Sequence, residues 1–407
     1  MRMLNFKTAG ESHGKGLVAI IDGLPAGVEV DIEYINDKLA RRQGGYGRGG
    51  RMKIEKDRAE VFSGVRSGKT IGSPVALLIH NRDWVNWQEV MAAESKVAED
   101  GVKDNELSII KDERLKRVEK RVTRPRPGHA DLAAALKYNT GDIRNILERA
   151  SARETAARVA MGGLTDCLLR YFAIDIVSHV IQLGSISAPL EREISFAELK
   201  ERVYDSPLHC YDKEKEKEMM EYIDKVRQAG DTLGGIVEIR TTSLPVGLGS
   251  HTQWDRRLDG RIAQALMSIP AIKGVEIGPA FENTTLPGSK VHDEIFYSDE
   301  TGYFRKSNRA GGLEGGTSNG QPLIVRIAMK PIPTLYKPLQ SVDMETKEPF
   351  KASIERSDVT AVPAAGVVAE AMLSFVLAQA LLEKFGGDSI DEMLVNYRAY
   401  LDRIKSL

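Results

Sequence analysis

The sequence predicts an α+β layered fold, and three observations carry that prediction. Apolar runs at 16–21, 74–80, 174–183, 236–240 and 323–329 read as strands, several with apolar and polar residues alternating. Helical patterns lie between them, but no strand-helix unit of constant length repeats, as a doubly wound sheet would require. The chain has 407 residues of which 42% are hydrophobic, enough for a full-sized core in one large unit or in two or three domains. No internal repeat is evident.

The helices follow in order. The first, over 33–43, is preceded by Asp31, a good N-cap, and meets Gly44-Gly45, where a helix should stop. A second covers 131–138. A third covers 142–172 and carries Ser151, Ala152, Ala156, Ala157, Ala160, Gly162 and Gly163, small residues that allow a neighbour to approach closely. The remaining two cover 255–269 and 363–385. The last is the most apolar stretch, yet Glu370, Gln379, Glu383 and Lys384 interrupt it, which argues against a membrane span. Two segments dense in mixed charge, about 92–122 and 191–228, read as surface insertions, either solvated helices or partly disordered excursions.

Composition narrows the function classes. A formal net charge of −1 does not suit a polycation built for nucleic acid, so any strongly anionic ligand must be met by local arginines. Cys167 and Cys210 lie far apart without metal-type spacing, which points to a reducing compartment, with no disulfide framework and no metal site. The N-terminal MRMLNFKTAGESHG lacks the apolar core of a signal peptide. The expectation is a soluble cytoplasmic protein with no membrane or nucleic-acid partner.

Gly10-Glu11-Ser12-His13-Gly14 places an imidazole between glycines, beside a hydroxyl and a carboxylate, and suits a proton-handling loop close to a ligand. Three nucleotide-like motifs fail on context. The 64–70 segment resembles a Walker loop but is one residue short, with Pro74 obstructing the required helix. The 45–50 glycines follow a helix instead of a strand, which removes a dinucleotide fold. The 311–316 glycines have no helix behind them, although they could approach a planar ligand.

Arginines cluster in the same regions. Arg41, Arg42, Arg48 and Arg51 share one glycine-rich segment, and guanidinium forks are natural partners of carboxylate and phosphate oxygens. Arg124 and Arg126 precede His129 on a proline-stiffened approach to the helix at Asp131. Arg149 and Arg153 stand four apart, as on one helical face, with Ser151 between them. These segments fit a small, multiply charged anion. A solvated basic loop or a phosphate-contacting RNA binder would use the same residues.

Taken together, Gly10–Gly14 with Asp22-Gly23-Leu24-Pro25, Leu39–Gln43 with Gly47-Arg48-Gly49, Arg126–Asp131, Arg149–Thr155, Gly311–Asn319, Lys330–Thr334 and Arg356-Ser357-Asp358 resemble the chorismate synthase family in content and order. Ala150 departs from the serine found in many members. The resemblance implies a single domain over 1–407, a β-α-β sandwich with helices between antiparallel sheets, assembled as a homotetramer. It implies a lyase of the shikimate pathway that eliminates phosphate and a ring hydrogen from 5-enolpyruvylshikimate 3-phosphate to give chorismate. Reduced FMN is required although net redox change is absent, with NADPH or an external flavin reductase supplying the electrons. His13 would protonate the leaving phosphate, His129 the flavin, and Asp358 would help remove the ring hydrogen. Ser12, Arg42, Arg48, Arg51, Arg126, Arg153 and Arg356 would bind substrate. FMN contacts would come from Arg149, Ala150, Ser151, Gln264, Ala265, Gly315, Lys330, Pro331, Ile332, Pro333, Thr334 and Arg356. A different FMN-dependent redox enzyme is the rival reading, and it would consume reductant stoichiometrically.

Overall fold

A computed structural model describes residues 4–49, 56–94, 121–190, 194–337, 339–351 and 358–406. The principal elements along the chain are β1 (Asn5–Ala9), β2 (Gly16–Asp22), α1 (Ile32–Gln43), β3 (Ala59–Ser63), β4 (Val75–His80), α2 (Asp131–Tyr138), α3 (Arg144–Ala150), α4 (Thr155–Leu169), β5 (Ile176–Leu183), β6 (Ile186–Ser187), α5 (Phe196–Tyr204), α6 (Lys213–Gln228), β7 (Gly235–Ser243), α7 (Leu258–Met267), β8 (Ile272–Ile277), β9 (Pro322–Met329), α8 (Val362–Phe385) and α9 (Ile390–Lys405). They form two antiparallel sheets with helices between them, the sandwich that the resemblance implies. The first sheet runs β1-β2-β4-β3 and the second β8-β9-β7-β5-β6.

Alternation explains the first sheet. Leu17, Ala19 and Ile21 of β2 and Leu77 and Ile79 of β4 point inward onto α1 and α4, with Ala19 opposite Leu77 in register. The central strands of the second sheet stack Val180, Val237 and Ile327 in one row beneath α8. Small residues set the layer spacing. A Cβ on Gly162 of α4 would sit 2.3 Å from the Ala371 Cβ of α8, and one on Gly366 of α8 would sit 2.6 Å from Ser178 Oγ of β5. The small-residue stripe thus packs closely, as expected. The long apolar α8 is the core helix, with 94% of its most apolar window buried.

Glu370 does not break α8 toward solvent. It is fully buried, accepts from Arg41 Nη1 and Nη2 at 3.1 and 3.2 Å, and accepts from Ser178 N and Oγ at 2.9 and 2.8 Å. Lys38 lies 3.7 Å away and pairs with Asp166 of α4, so two cations of α1 meet carboxylates from both neighbouring helices. Burial alone would raise the Glu370 carboxyl, but Arg41 and Lys38 outweigh it and hold it at about 2.

Two expectations need correction, and the 64–70 segment, excluded above as a Walker loop, has its own shape. The 142–172 helix breaks at Ser151, whose extended backbone and hydroxyl, accepting from Arg153 N at 3.3 Å, start a 3-10 turn before α4. The 255–269 helix is a 3-10 turn, Trp254–Arg256, followed by the shorter α7. The segment around 64–70 is a hairpin turned by Ser67 and Gly68 at positive φ. Within 191–228, α5 buries Leu199 and Val203 and α6 buries Met219 and Ile223, leaving their charged faces outside. Most of the 92–122 segment lies outside the described residues.

Gly162→Ala should destabilise the fold by about 1–3 kcal/mol through overpacking, whereas Gly141→Ala, where an added Cβ meets nothing within 4 Å, should be neutral. Denaturant midpoints compare the two directly. Glu370→Gln should cost about 3–5 kcal/mol at neutral pH by stranding a buried cation. Because Glu370 has a depressed pKa, its stabilisation is present above the unfolded carboxylate pKa and disappears as pH falls toward about 2. The stability gap between wild type and variant should therefore be constant near neutrality and narrow in acid.

Candidate active site

The β1–β2 loop turns at Gly10, where φ is +106° and a Cβ would lie 2.3 Å from Gly16 O, a place only glycine fits without strain. This turn carries Ser12 and His13 toward the α3–α4 junction. Ser12 N donates to Glu148 O at 3.0 Å, and Ser151 Oγ donates to Ser12 Oγ at 3.1 Å. His13 Nδ1 lies 2.9 Å from Glu148 Oε1, and the His13 backbone N–H donates to Glu148 Oε2 at 2.8 Å. Trp87 stacks on the imidazole with ring centroids 3.8 Å apart. Burial would raise the Glu148 carboxyl, but the hydrogen bonds and charge of His13 bring it below its ordinary value.

Beside this pair lies a buried arginine group. Arg42 Nη2, from the last turn of α1, donates to Asp57 Oδ2 at 2.8 Å. Arg153 Nη2 donates to Asp57 Oδ1 at 3.1 Å, and Arg153 Nη1 to Asn81 Oδ1 at 3.2 Å. Asn81 follows β4 and donates to Gly14 O at 2.9 Å, closing the circuit to the His13 loop. One carboxylate therefore faces two guanidinium groups. Burial lowers the Arg42 pKa; Asp57 opposes that, while the charges of Arg48 and Arg153 add to it. Arg42 Nε is buried without a hydrogen-bond partner among the described residues. Buried guanidinium groups gathered in this way are natural partners of carboxylate and phosphate oxygens.

Arg48 lies near enough to act on Arg42 and pairs with Asp358 Oδ2 at 2.9 Å; Asp358 Oδ1 also accepts from Gly49 N at 2.5 Å. A further group forms around His129, whose Nδ1 lies 2.5 Å from Asp131 Oδ1 and 3.2 Å from Arg126 Nη2. Arg126 Nε donates to Asp131 Oδ2 at 2.9 Å, and Arg126 Nη1 to Thr334 Oγ1 at 3.4 Å. Lys330 Nζ donates to Gly128 O. Burial would raise Asp131, yet the hydrogen bonds from His129 and Arg126 hold it well below the usual carboxylate range.

A profile of the chorismate synthase family matches residues 4–382. The chain belongs to the chorismate synthase family. It is 56% identical over 411 residues to the chorismate synthase of Geobacter metallireducens, covering 99% of this chain and all of that protein. The chorismate synthase of Aquifex aeolicus is 55% identical over 416 residues, covering all of this chain and 99% of that one. A crystal structure of a chorismate synthase matches with a TM-score of 0.77 at 44% identity over the full length of both chains. The protein is accordingly a lyase of the shikimate pathway that forms chorismate from 5-enolpyruvylshikimate 3-phosphate.

The fold thus gathers Ser12, His13, Arg42, Ser151 and Arg153 in one group and Arg126, His129, Lys330 and Thr334 in another. Arg126 pairs with Asp131 and His129 instead of with the Arg42 group. Arg149 and Arg153 do not share a face, because the break at Ser151 turns them apart. Arg149 donates to the carbonyls of Thr8 and Gly10 at 3.1 and 3.2 Å. Ala150 ends α3. Gln264 and Ala265 lie on α7, and Gly315 lies in a hairpin beside His251; no hydrogen bond among the described residues joins them to either histidine. Arg51 and Arg356 lie outside the described residues. Sequence reasoning misses Glu148, Asp57, Asn81 and Trp87. Glu148 stands in the arginine-rich helix, but its partner His13 is 135 residues away, and no local pattern signals that contact.

Asp57→Asn should cost about 3–5 kcal/mol, because it breaks the buried ion pairs of both Arg42 and Arg153. Added inorganic phosphate should recover part of the loss. Thermal denaturation with and without phosphate reads both effects, and an unchanged midpoint would contradict this assignment of charge.

Proposed function

We propose that His13 is the general acid for the leaving phosphate and that Arg42, Arg48 and Arg153 hold the substrate's anionic groups, with Ser12 beside them. The observation that carries this reading is the buried Arg42–Asp57–Arg153 group next to an imidazole whose Nδ1 is committed to Glu148. The substrate bears two carboxylates and a phosphate, which suit guanidinium forks. His13 Nε2 is then the nitrogen from which a proton leaves. Arg51 and Arg356 belong to the same proposal through the family resemblance.

Reduced FMN fits the His129 side. Arg126, Lys330 and His129 gather hydrogen-bond donors around Asp131, a set suited to an anionic cofactor. Gly128 has φ of +79°, and its missing Cβ keeps the backbone open beside Pro333 and Lys330. The 330–334 segment therefore meets the His129 segment, and Pro331, Ile332 and Thr334 lie along the same stretch. When bound, reduced FMN supplies reversible electron chemistry to a reaction without net redox change. His129, oriented by Asp131, would hold a proton at Nε2 for it, and Asp358, fixed by Arg48 and Gly49 N, would help remove the ring hydrogen. Arg149, Ala150, Ser151, Gln264, Ala265, Gly315 and Arg356 are further proposed FMN contacts. Electrons come from NADPH or from an external flavin reductase. A homotetramer would cover apolar surface such as Ile20 and Phe62 on the outer side of the first sheet. Two free, buried cysteines, Cys167 and Cys210, suit the cytoplasm.

The test is anaerobic. Purified protein, 5-enolpyruvylshikimate 3-phosphate and chemically reduced FMN should give chorismate and phosphate with FMN acting catalytically. Oxidised FMN with NADPH in a parallel sample separates the two electron sources. His13→Ala should lower kcat by on the order of 10²–10⁴ with a much smaller change in KM. Unchanged turnover from folded, FMN-binding variant would remove His13 from the mechanism.

A further inference from the structure

We propose that Glu148 and Trp87 are positioning residues for His13, holding its ring so that Nε2 alone is presented to the leaving phosphate. The proposal rests on the reading of His13 as general acid. Glu148 fixes both backbone and ring, accepting from His13 N at 2.8 Å while its two oxygens lie 2.9 and 3.0 Å from His13 Nδ1. Trp87 covers one face of the imidazole, its ring tilted by 24° at 3.8 Å. The indole is itself anchored, since Nε1 donates to Asp83 Oδ2 at 2.9 Å and the Arg144 guanidinium sits 5.7 Å from its ring centre. Arg144 also lies 3.8 Å from Glu148 Oε1, so one arginine braces both supports.

The charged groups around His13 are few. Glu148 and Arg144 face it from α3, Asp83 lies beneath the indole, and Glu11 and Lys15 flank it on its own loop. Arg153 and Asp57 reach the loop through Asn81. Of these, Glu148 is the carboxylate in contact with the ring, and its side chain is 1% exposed, so its charge is little screened. A carboxylate on Nδ1 fixes the ring's orientation and leaves Nε2 as the nitrogen that gives its proton away. Neither side chain touches the substrate in this account; both act through His13.

The experiment compares holoenzyme from wild type, Glu148→Gln, Trp87→Ala, Trp87→Phe and His13→Ala, with kcat and KM measured anaerobically between about pH 5 and 8. Glu148→Gln should lower kcat at neutral pH by on the order of 10-fold or more, with KM nearly unchanged. Its alkaline limb should move to lower pH, because the protonated ring has lost its counter-charge. Trp87→Ala uncovers one face of the imidazole and should lower kcat with KM nearly unchanged, whereas Trp87→Phe, which keeps a flat ring, should recover most of that loss. A Glu148→Gln limb that coincides with wild type, or a loss carried by KM, would overturn the proposal.

Tryptophan emission gives a second readout that does not depend on catalysis, and it decides the matter should Glu148→Gln fail to fold. In wild type a charged imidazole stacked on Trp87 quenches the indole, so emission should rise as His13 loses its proton. That step should vanish in His13→Ala and in Trp87→Phe; a wild type without it would overturn the proposal. Wild-type turnover by His13→Ala would instead defeat the general-acid reading, while the emission step would still report the stacked ring.

Discussion

Two guanidinium groups, Arg42 and Arg153, share one carboxylate, Asp57, in a place from which water is excluded. Burying charge is costly unless it is paired, and here both guanidinium groups pair with the same carboxylate. The fold meets that cost by covalent and packing constraint. Arg42 is fixed in the last turn of a capped helix, Arg153 in the 3-10 turn that follows Ser151, and Asp57 just ahead of an antiparallel strand. None of the three can move apart without unpicking an element. A substrate rich in anionic oxygens then gains affinity from charges that are already positioned and desolvated.

The layers make this arrangement achievable. Gly162 and Gly366 let α4, α8 and the second sheet approach closely, and Lys38 and Arg41 of α1 pair with carboxylates on α4 and α8. Helix α1 is therefore locked on its buried side by one ion network, while its next residue, Arg42, faces another. Two histidines stand in matching settings. Each has Nδ1 on a buried carboxylate, Glu148 for His13 and Asp131 for His129, and on the proposed reading Nε2 is the nitrogen that meets a ligand. Such parallel construction suits a reaction that must protonate at one point and manage a cofactor at another.

Much of this is legible in the chain. Asp31 and Gly44 mark both ends of α1, and alternating apolar residues mark β2, β4 and β9, because capping and pleat are local properties. The family resemblance identifies the histidines and most of the arginines. Other features depend on distant contacts. The break at Ser151 hides inside an otherwise helical pattern, and only the tertiary positions of Arg149 and Arg153 reveal that they diverge. β1 is missed because it is a short edge strand with few apolar residues. By contrast, α9 carries a capping box in Ser389 and Glu392 that a closer reading would find. Glu148 and Asp57 look like ordinary surface carboxylates until the fold buries them.

A crystal structure of the protein with 5-enolpyruvylshikimate 3-phosphate bound tests the central claim most directly. The account predicts a phosphate oxygen within hydrogen-bond distance of His13 Nε2 and anionic groups of the substrate on Arg42 and Arg153, with Asp57 still shared between them. A substrate seated away from these arginines, or a phosphate beyond the reach of His13, would contradict it.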